Sequence, residues 1–559
     1  MAINHLFTEA GEKLNGTEYN KYPRPSLVRD SFYSLNGEWE LSAGDGFSGN
    51  IIVPYPPESI LSRVCRVFKD GTPLFYKKKF TLHEGFIKDR VILHFGAIDG
   101  VCSVYLNEHL LGVHEGGYDA FSFDITDYVR RDNELKIEAI DTLKDHTLPY
   151  GKQSLKRGGM WYTPISGIWQ SVWLESVPRD YIKSLKIDTG LDICKIYFEG
   201  ASTGELTLHL DSGDKIYPII NGYCKIKLQD PIYWSPENPY LYHFSAKCGR
   251  DEIKSYFALR TIEIERVDGI SRILLNGKPY FFNGVLDQGY FSDGIYTPAS
   301  PCEYERDILK MKSLGFNTLR KHIKVEPEEF YYQCDKLGMV VFQDFVNNGK
   351  YSFFRDTALP TIGFKRLNEK RFGRTEKQKR AFLEGLKRTV NQLYNHPSVC
   401  YYTIFNEGWG QFDSDHMYYT LKELDPSRIV DTNSGWFSGH ASDVTSEHVY
   451  FKKYKQKESK KPIILSEFGG YSYKIMEHSA NKQKTYGYKL FDDGERFEGA
   501  LISLYENEII PSIKGGLCGA IYTQLSDVED ETNGFLTYDR RVLKVNADKI
   551  RAVMEKLKI

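Results

Sequence analysis

The sequence predicts a multidomain protein: a jelly-roll β-sandwich, then an immunoglobulin-like β-sandwich, then a C-terminal (β/α)8 TIM barrel. The length of 559 residues exceeds the roughly 250–300 residues at which a single hydrophobic core stops growing. Short alternating strands with turn residues fill the first half without long helical periodicity. After about residue 264, apolar strands alternate with amphipathic helices. The predicted domains are therefore residues 1–178, 179–263 and 264–559.

The first predicted domain consists of short strands separated by turns. Residues 37–42, 90–96 and 101–106 alternate apolar and polar side chains or form short apolar runs, and the turn residues Asn107 and Glu108 follow the third of them. Regular strand spacing without helical periodicity is typical of a β-sandwich or jelly roll.

The second predicted domain keeps the β character in a shorter block. Residues 184–188, 205–210 and 243–248 read as strands, which suits a small immunoglobulin-like sandwich. Residues 234–242 contain Pro236 and Pro239, and such a stiff segment suits an edge or a crossover.

Eight strand candidates and one clear helix define the third domain. The candidates are residues 280–285, 317–320, 339–344, 399–405, 428–431, 444–449, 463–466 and 518–523. Thr375 and Gln378 form a capping-box pattern. Apolar residues then recur at 382, 386, 390 and 393 on one helical face. Eight such units over nearly 300 residues fit a (β/α)8 barrel, in which the seventh and eighth units have the weakest pattern.

Two apolar segments of the barrel end abruptly in a glutamate. Residues 402–409 contain Asn406 and Glu407, and residues 462–469 contain Glu467. Because barrel sites lie at the carboxyl ends of the strands, the fourth and seventh strands bring these carboxylates to the same mouth, nearly opposite one another. Two carboxylates about 5–5.5 Å apart are what acid–nucleophile cleavage of a glycosidic bond with retention requires.

Motifs along the whole chain resemble glycoside hydrolase family 2, the family of β-galactosidases, β-glucuronidases and β-mannosidases. They are residues 114–124 and 167–175 in the first domain, 234–242 in the second, and 275–279, 315–320, 335–342, 395–399 and the two glutamate segments in the third. The resemblance implies that Glu407 is the acid/base, Glu467 the nucleophile, Asn406 a ligand to the sugar 2-hydroxyl and Arg320 a support for the nucleophile.

The chain also departs from the pattern of that family. After the second strand, residues 320–327 place His322 one position early and add lysines, and after the first strand residues 286–290 replace the usual Asn-Arg-His-Glu. The stretch corresponding to the Asn-x-Lys of β-glucuronidases is residues 531–535, which contain no lysine. These departures indicate an atypical subgroup of the family. The missing lysine weakens the assignment as a simple glucuronidase.

Further side chains follow the predicted strands and are candidates for substrate contact, with a turn, a solvated loop or packing as the alternative for each. They are Asp287 with Gln288, His322, Lys324, Asp344, Trp436, His448 and Tyr450. Of these, Trp436 is a candidate stacking platform, and His448 and Tyr450 are candidates for hydrogen bonds to the nucleophile. Residues 346–375 are too long for an ordinary connection and are rich in Lys and Arg, so they form either a lid that favours acidic glycosides or a solvated face.

Composition excludes several other classes. A net charge of −2 gives no field that attracts nucleic acid or an anionic membrane. The first residues lack the pattern of a secretory signal, and the nine dispersed cysteines without ligand spacing are typical of reduced thiols in a cytosolic protein. Aromatic residues make up 14% of the chain, which suits sugar stacking and β-rich domains equally. We therefore expect a cytoplasmic protein without metal or cofactor, whose partners are small glycosides and, as an open alternative, copies of itself.

Two functional hypotheses follow. The first is a retaining exo-β-glycosidase, with a galactose-type sugar (galactopyranoside or galactofuranoside) preferred and a β-uronide as the alternative. The second is a carbohydrate-binding protein on an inactive scaffold, against which stands the presence of Asn406, Glu407 and Glu467 together.

Overall fold

The computed structural model of the protein describes residues 6–361, 364, 369, 373–435 and 441–559. Along the chain it shows two antiparallel β domains followed by an eight-stranded parallel sheet, which confirms the predicted fold class. No helix of the described residues is both long enough and apolar enough to span a bilayer. The domain limits after residues 178 and 263 stay predictions.

The first domain packs two antiparallel sheets face to face. Strand Gly37–Ala43 alternates exposed and buried residues, and its inward side chains Trp39 and Leu41 join the core between the sheets. The six-stranded sheet runs, in order, Ser48–Val53, Gly37–Ala43, Leu74–Thr81, Asp132–Ile140, Val101–Leu106 and His109–Glu115. The four-stranded sheet is Phe32–Ser34, Val172–Val177, Arg90–Phe95 and Phe121–Asp124, and a short pair joins Gly167–Ile168 to Ile98–Asp99.

The second domain is one continuous antiparallel ladder of seven strands around its own core. In order across the ladder they are Ser184–Thr189, Ile193–Glu199, Tyr223–Lys227, Lys215–Ile220, Thr203–His209, Tyr242–Cys248 and Asp251–Phe257. Every second residue of Ile193–Glu199 is buried, as half-buried strands require. A three-stranded sheet then leads into the barrel: Ile262–Val267, Ile270–Leu275 and Lys278–Pro279.

All eight predicted barrel strands are present and pair in parallel. From the first to the eighth they are Phe282–Asp287, Thr318–Lys321, Val340–Asp344, Val399–Asn406, Ile429–Ser434, Thr445–Val449, Ile463–Gly469 and Leu517–Thr523. The ladder runs from the fifth strand back to the first, then through the eighth and seventh to the sixth. Most strands are buried along their whole length, which explains why they read as continuous apolar runs.

Helices pack outside this ring. The main ones are Cys302–Ser313, Glu328–Leu337, Glu376–Leu393, Ser414–Leu424, Gly494–Leu504 and Ala547–Met554, and shorter helices are Glu9–Glu12, Leu359–Thr361 and Ile510–Ile513. Shorter helical turns are Leu143–Asp145, Phe354–Ala358, Met476–His478 and Tyr505–Ile509, and a small parallel pair joins Tyr471–Tyr473 to Lys489–Phe491. In Glu376–Leu393 the predicted capping box between Thr375 and Gln378 is present, and the predicted face is buried.

The expected alternation of strand and helix is incomplete. Residues 450–462, between the sixth and seventh strands, contain no helix, and neither do the described residues between the fifth and sixth. The physical reason is visible in residues 451–461, which are mostly Lys, Gln, Glu and Ser and bury a single apolar side chain, Tyr454, against the barrel, too little for an apolar helix face.

The amino ends of the barrel strands are closed by the second domain and the three-stranded sheet. Trp234 and Ile273 pack in one cluster with the barrel-interior residues Phe282, Phe342 and Tyr401. Trp234 Nε1 also donates to the Asp335 carbonyl at 2.7 Å. A ligand therefore reaches the barrel from the carboxyl ends of the strands.

Candidate active site

Glu407 stands at the turn that ends the fourth strand. Its amide donates to the Ser434 carbonyl at 2.8 Å, so the chain stays paired with the fifth strand up to this residue. Its φ of 54° lies in the left-handed region, which a residue other than glycine seldom adopts. The Trp409 amide donates back to the Asn406 carbonyl at 2.9 Å and closes the turn. A strained residue held in this way is typical of functional sites.

Glu467 lies within the seventh strand and is held by hydrogen bonds to both oxygens. Arg320 Nη1 donates to Oε1 at 3.0 Å, and the Tyr450 hydroxyl donates to Oε2. The hydroxyl of Tyr450 also lies 3.0 Å from Thr523 Oγ1, and its ring stacks on Tyr488. The carboxylate is therefore fixed in orientation from the second barrel strand and from the loop that follows the sixth.

His448 bridges the two glutamates. Its Nδ1 lies 2.9 Å from Glu407 Oε1, and its Nε2 lies 3.6 Å from Glu467 Oε1. One ligand atom from each of the three side chains lies within 4.8 Å of the others. A Cβ at Gly435 would come within 2.4 Å of the imidazole, so only glycine permits this approach. The carboxylates, sixty residues apart in sequence, thus converge at one place at the carboxyl ends of the strands.

The electrostatics of Glu467 suit a nucleophile. Burial favours the protonated acid, but His448 and Arg320 outweigh it and hold the pKa of this carboxyl well below its usual range. Burial acts against the charged guanidinium of Arg320, yet Asp344 and Glu467 raise its pKa further above neutrality. At neutral pH the pair is therefore a carboxylate and a guanidinium.

Arg320 also orients Asn406 and connects it to a buried carboxylate. Arg320 Nη2 donates to Asn406 Oδ1 at 2.8 Å, and Nε donates to Asp344 Oδ1 at 3.0 Å. The other oxygen of Asp344 lies 2.7 Å from His322 Nδ1. Burial lowers the pKa of His322 although Asp344 opposes it, so the imidazole is neutral near pH 7. Both oxygens of Asp344 are thus occupied, and the residue positions Arg320 and His322 instead of offering a free carboxylate to a sugar.

The sequence predicts that Lys324 and Asp287 contact substrate, but in the structure both are bonded to other groups of the protein. The Lys324 ammonium donates to the Gly289 carbonyl at 2.6 Å and to the Tyr296 carbonyl at 2.8 Å, and lies 2.9 Å from Glu326. Its three hydrogens are therefore used. Burial lowers the pKa of Lys324 to about 8.

Asp287 is fixed in a similar way, by Lys321 Nζ at 2.6 Å and by the Gly289 amide at 2.8 Å. Neither residue is left free for a sugar. The sequence alone could not show this, because a polar residue at the end of a strand looks the same whether it faces the sugar or a buried ion pair. Gln288, beside them, donates to Gln524 Oε1 at 2.9 Å.

Two further predictions fall partly or wholly outside the described residues. Trp436 lies outside them, as do Lys365, Arg366, Lys370 and Arg371 of the predicted long loop. Within the described part of that loop, Arg374 Nη2 donates to the carbonyls of Asn348 and Gly410, both at 2.7 Å. Two large apolar side chains of the loop, Phe353 and Phe354, are strongly exposed.

Part of the first domain lies across the mouth of the barrel. We call residues 146–163 the rim segment. At one end, the Gly349 amide donates to the His146 carbonyl at 2.8 Å and the Tyr150 amide to the Asn347 carbonyl at 3.1 Å. At the other end, the Thr163 amide donates to Glu529 Oε1 at 2.8 Å. The rim segment therefore spans from the loop after the third barrel strand to the loop after the eighth.

The rim segment carries functional candidates that the sequence did not reveal. The Tyr162 hydroxyl donates to Glu531, and the Trp161 ring packs edge-on against Trp409 and Tyr351, with centroids 5.4 and 5.0 Å apart. Trp409 follows Glu407 by two residues, so this aromatic group adjoins the acid. No residue of 146–163 is among the site residues predicted from the sequence; the signal that could have pointed to them is the tendency of long irregular segments to carry function.

Glu407, His448 and Glu467 are also the set among the described residues whose donor atoms lie close enough together to hold a metal ion. The Arg320 guanidinium, 3.0 Å from Glu467 and 3.4 Å from His448 Nε2, already supplies positive charge there. A second cation would be repelled by it, so the donor set fits an acid–nucleophile pair better than a metal site.

A barrel with two carboxylates converging at its mouth, preceded by two β-sandwiches, defines the class of multidomain glycosidase folds. Family profiles match in the same order: a glycosyl hydrolase 2 galactose-binding domain-like region at residues 67–157, glycosyl hydrolases family 2 at 185–260, and the TIM barrel domain of glycosyl hydrolases family 2 at 266–559. The chain belongs to glycoside hydrolase family 2.

Curated relatives carry names of two activities. A beta-galactosidase of Thermoanaerobacter pseudethanolicus is 27% identical over 300 residues, covering 48% of this chain and 39% of the relative. A putative beta-glucuronidase of Formosa agariphila is 23% identical over 469 residues, covering 75% of this chain and 53% of the relative. The chain thus spans about two fifths to half the length of these relatives.

Solved structures share the fold over nearly the whole chain. The beta-D-glucuronidase of Dictyoglomus thermophilum superposes with a TM-score of 0.77 at 20% identity, covering 96% of this chain and 99% of that one. A GH2 beta-galacturonidase of Eisenbergiella tayi gives a TM-score of 0.70 at 19% identity, with the same coverage. At these identities the similarity establishes the architecture.

Proposed function

We propose that the protein is a retaining exo-β-glycosidase that removes terminal β-linked sugars through a covalent glycosyl-enzyme intermediate. The observation that carries the proposal is the approach of Glu407 and Glu467, whose nearest carboxylate oxygens lie within 4.8 Å. Retaining sites place their carboxyl groups roughly 5–5.5 Å apart, whereas inverting sites need about 6.5–9.5 Å to admit a water. The separation leaves room for an anomeric carbon and none for an intervening water.

In the first half-reaction, Glu467 attacks C1 of the sugar and forms an ester as the bond from C1 to the leaving oxygen breaks. Glu407 gives its proton to that oxygen, so the aglycone leaves as a neutral alcohol. The low pKa of Glu467, set by His448 and Arg320 against the effect of burial, keeps the nucleophile ionised.

In the second half-reaction, Glu407 takes a proton from water while the water oxygen attacks C1 and the ester to Glu467 breaks. Both residues return to their starting protonation states, and two inversions give net retention. His448, 2.9 Å from Glu407 Oε1, keeps the carboxyl of Glu407 aimed at the cavity through both steps.

Asn406 is the proposed ligand to the sugar 2-hydroxyl. Because Arg320 occupies its Oδ1 at 2.8 Å, its amide hydrogens are the donors left for a substrate. Hydrogen bonds at this hydroxyl strengthen in the transition state of glycoside cleavage. Arg320 therefore supports both the nucleophile and the hydroxyl ligand.

Two sugar classes are candidates. A galactose-type sugar, pyranoside or furanoside, is the choice made from the sequence, and the beta-galactosidase names among the relatives support it. A β-uronide is supported by the names of the structural neighbours and by a buried cation in the rim segment, Lys152. We also propose that the protein acts in the cytoplasm, on the basis of its dispersed cysteines and of first residues that do not resemble a secretory signal.

Trapping of the intermediate tests this function. The protein is incubated with activated 2-deoxy-2-fluoro β-glycosides of a galactose type and of a uronic acid type, and its peptides are weighed by mass spectrometry. We expect a mass gain of one fluorosugar on the peptide that contains Glu467, absent in Glu467→Ala and kept in Glu506→Ala, an exposed glutamate outside the site. Label that persists in Glu467→Ala would remove the nucleophile assignment. Absence of both label and hydrolysis with every sugar would favour the carbohydrate-binding alternative.

A further inference from the structure

Four lysines are buried in the described part of the chain, and Lys152, in the rim segment, is the one that forms no ion pair. Each of the other three pairs with a carboxylate: Lys321 with Asp287, Lys324 with Glu326 and Lys544 with Asp527. Lys152 is only 8% exposed, yet its ammonium makes no hydrogen bond and no ion pair with any described residue. Among the described residues, Lys152 is therefore a buried cation without a directly paired carboxylate.

A buried cation of this kind is unfavourable unless an anion pairs with it. Removing an ammonium from water without a partner carries a large free-energy penalty, and buried charges in proteins are ordinarily paired. The centroid of the Trp161 ring lies 5.6 Å from the Lys152 Nζ, which gives a cation–π contact but no ion pair. A bound anion is the missing partner that this environment suits.

The backbone contacts around Lys152 fix the position of this residue at the mouth of the barrel. A Cβ at Gly151 would lie 2.6 Å from the Ile323 carbonyl, so the rim segment packs directly on the loop after the second barrel strand. The Tyr162 amide donates to the Lys152 carbonyl at 3.0 Å, which ties Lys152 to the residue that binds Glu531. Lys152 is thus held between the loops that follow the second and eighth strands.

Electrostatic effects agree with this position at the cavity. Burial is the main cause of the lowered pKa of His322, and the charge of Lys152 adds to it. Burial raises the pKa of Glu531, which Lys152 opposes and Glu467 reinforces. Glu531 itself is already bonded to Tyr162 and, at 3.0 Å, to Asn533 Nδ2. Lys152 therefore lies close to His322 and Glu531, whose pKa values also respond to Glu467, without forming an ion pair with either of them.

We propose that Lys152 binds the carboxylate of a terminal β-linked uronic acid and makes the site selective for uronides; this inference rests on the proposed glycosidase function. In a hexuronide the carboxylate stands on C5, across the ring oxygen from C1. One sugar can therefore place C1 at Glu467 and present its carboxylate to a cation on the rim of the same barrel mouth. A neutral hexose offers only a hydroxymethyl group there and leaves the ammonium without a counter-charge.

The test is a comparison of uronides with their neutral counterparts. Initial rates are measured with 4-nitrophenyl β-D-glucuronide, β-D-galacturonide, β-D-glucoside and β-D-galactoside for the wild type, Lys152→Gln and Lys152→Arg. Lys156→Gln is the matched control, because Lys156 lies in the same rim segment with an exposed side chain.

We expect the wild type to prefer at least one uronide over its neutral counterpart. Lys152→Gln should lower kcat/KM for that uronide by about 100-fold, as removal of one partner of a buried charged hydrogen bond does. The neutral substrate should be unchanged or cleaved faster, Lys152→Arg should recover part of the uronide activity, and Lys156→Gln should match the wild type.

Two results would overturn the inference and leave the glycosidase function standing. One is a wild type that cleaves neutral glycosides and not uronides. The other is a Lys152→Gln variant whose kcat/KM falls equally for uronides and neutral glycosides, as expected if Lys152 has a purely structural role. If no glycoside is cleaved and no fluorosugar labels Glu467, the proposed function itself fails.

Discussion

Replacing Tyr450 by phenylalanine removes one hydrogen bond to the proposed nucleophile and leaves its packing in place. The Tyr450 hydroxyl donates to Glu467 Oε2, and the ring stacks on Tyr488 with centroids 3.7 Å apart. Phenylalanine keeps that stacking. The variant therefore isolates the effect of a single hydroxyl on the ionisation of Glu467.

The expected size follows from the energy of a charged hydrogen bond. Such a bond contributes about 1.5–3 kcal/mol, and one pKa unit corresponds to about 1.4 kcal/mol. Loss of the hydroxyl should raise the pKa of Glu467 by about one to two units. Because Glu467 must be ionised to attack, the acidic limb of the kcat/KM profile should move to higher pH by the same amount.

The same reasoning gives the sign for stability. Burial raises the pKa of Glu467, but His448 and Arg320 depress it below the value in the unfolded chain. Its ionisation therefore stabilises the fold above the unfolded value, and this contribution is lost as the pH falls through the folded value. Tyr450→Phe should reduce that contribution at neutral pH and change stability little in strong acid.

The assay is the dependence of kcat/KM on pH, from about pH 2 to about pH 8 so that the acidic limb falls inside the range, with an activated glycoside that the wild type cleaves. The control is Tyr505→Phe, since the Tyr505 hydroxyl is buried with no hydrogen-bond partner among the described residues. An acidic limb that coincides with the control, or that moves to lower pH, would refute the reasoning.

Two further predictions concern the acid and the barrel helices. Glu407→Ala should lose cleavage of sugars with poor leaving groups, with azide restoring turnover of activated ones; wild-type activity on an unactivated glycoside would contradict the acid role. Leu386→Ala, in the buried face of Glu376–Leu393, should lower the free energy of unfolding by about 2–5 kcal/mol through the cavity it leaves. Denaturant melts measure this against Asn391→Ala, an exposed position on the same helix, and a loss no larger than that of the control would show that the site repacks.

The barrel was predictable because its strands have a local signature. Val399–Asn406 is buried at all eight positions, so its sequence is apolar apart from Thr403 until it ends in the polar residues of the mouth. The ring of eight strands then brings Glu407 and Glu467 to the same mouth of the barrel, from strands nearly opposite one another. Where the local signature is missing, as in the polar residues 450–462, the predicted helix is missing too.

The surroundings of the two glutamates could not be predicted in the same way. Asp344 and Asp287 end strands as expected, but whether such a side chain faces a sugar or a buried cation depends on residues from other strands. Lys152 and Tyr162 lie in an irregular segment of another domain, where no periodicity marks a contact with Glu531. Tertiary contacts between segments distant in sequence decide these roles.

The rim segment also constrains the order in which this protein can be completed during synthesis. The hydrogen bond from Tyr162 to Glu531 closes a loop of 369 residues, and that from Thr163 to Glu529 one of 366. Domains generally fold as units, the N-terminal one first, as the chain leaves the ribosome. These two contacts of residues 146–163 with the barrel therefore form only after residues 529–531 have been translated. Chains shortened before residue 529 should display residues 146–163 to proteases, however well the first domain itself has folded.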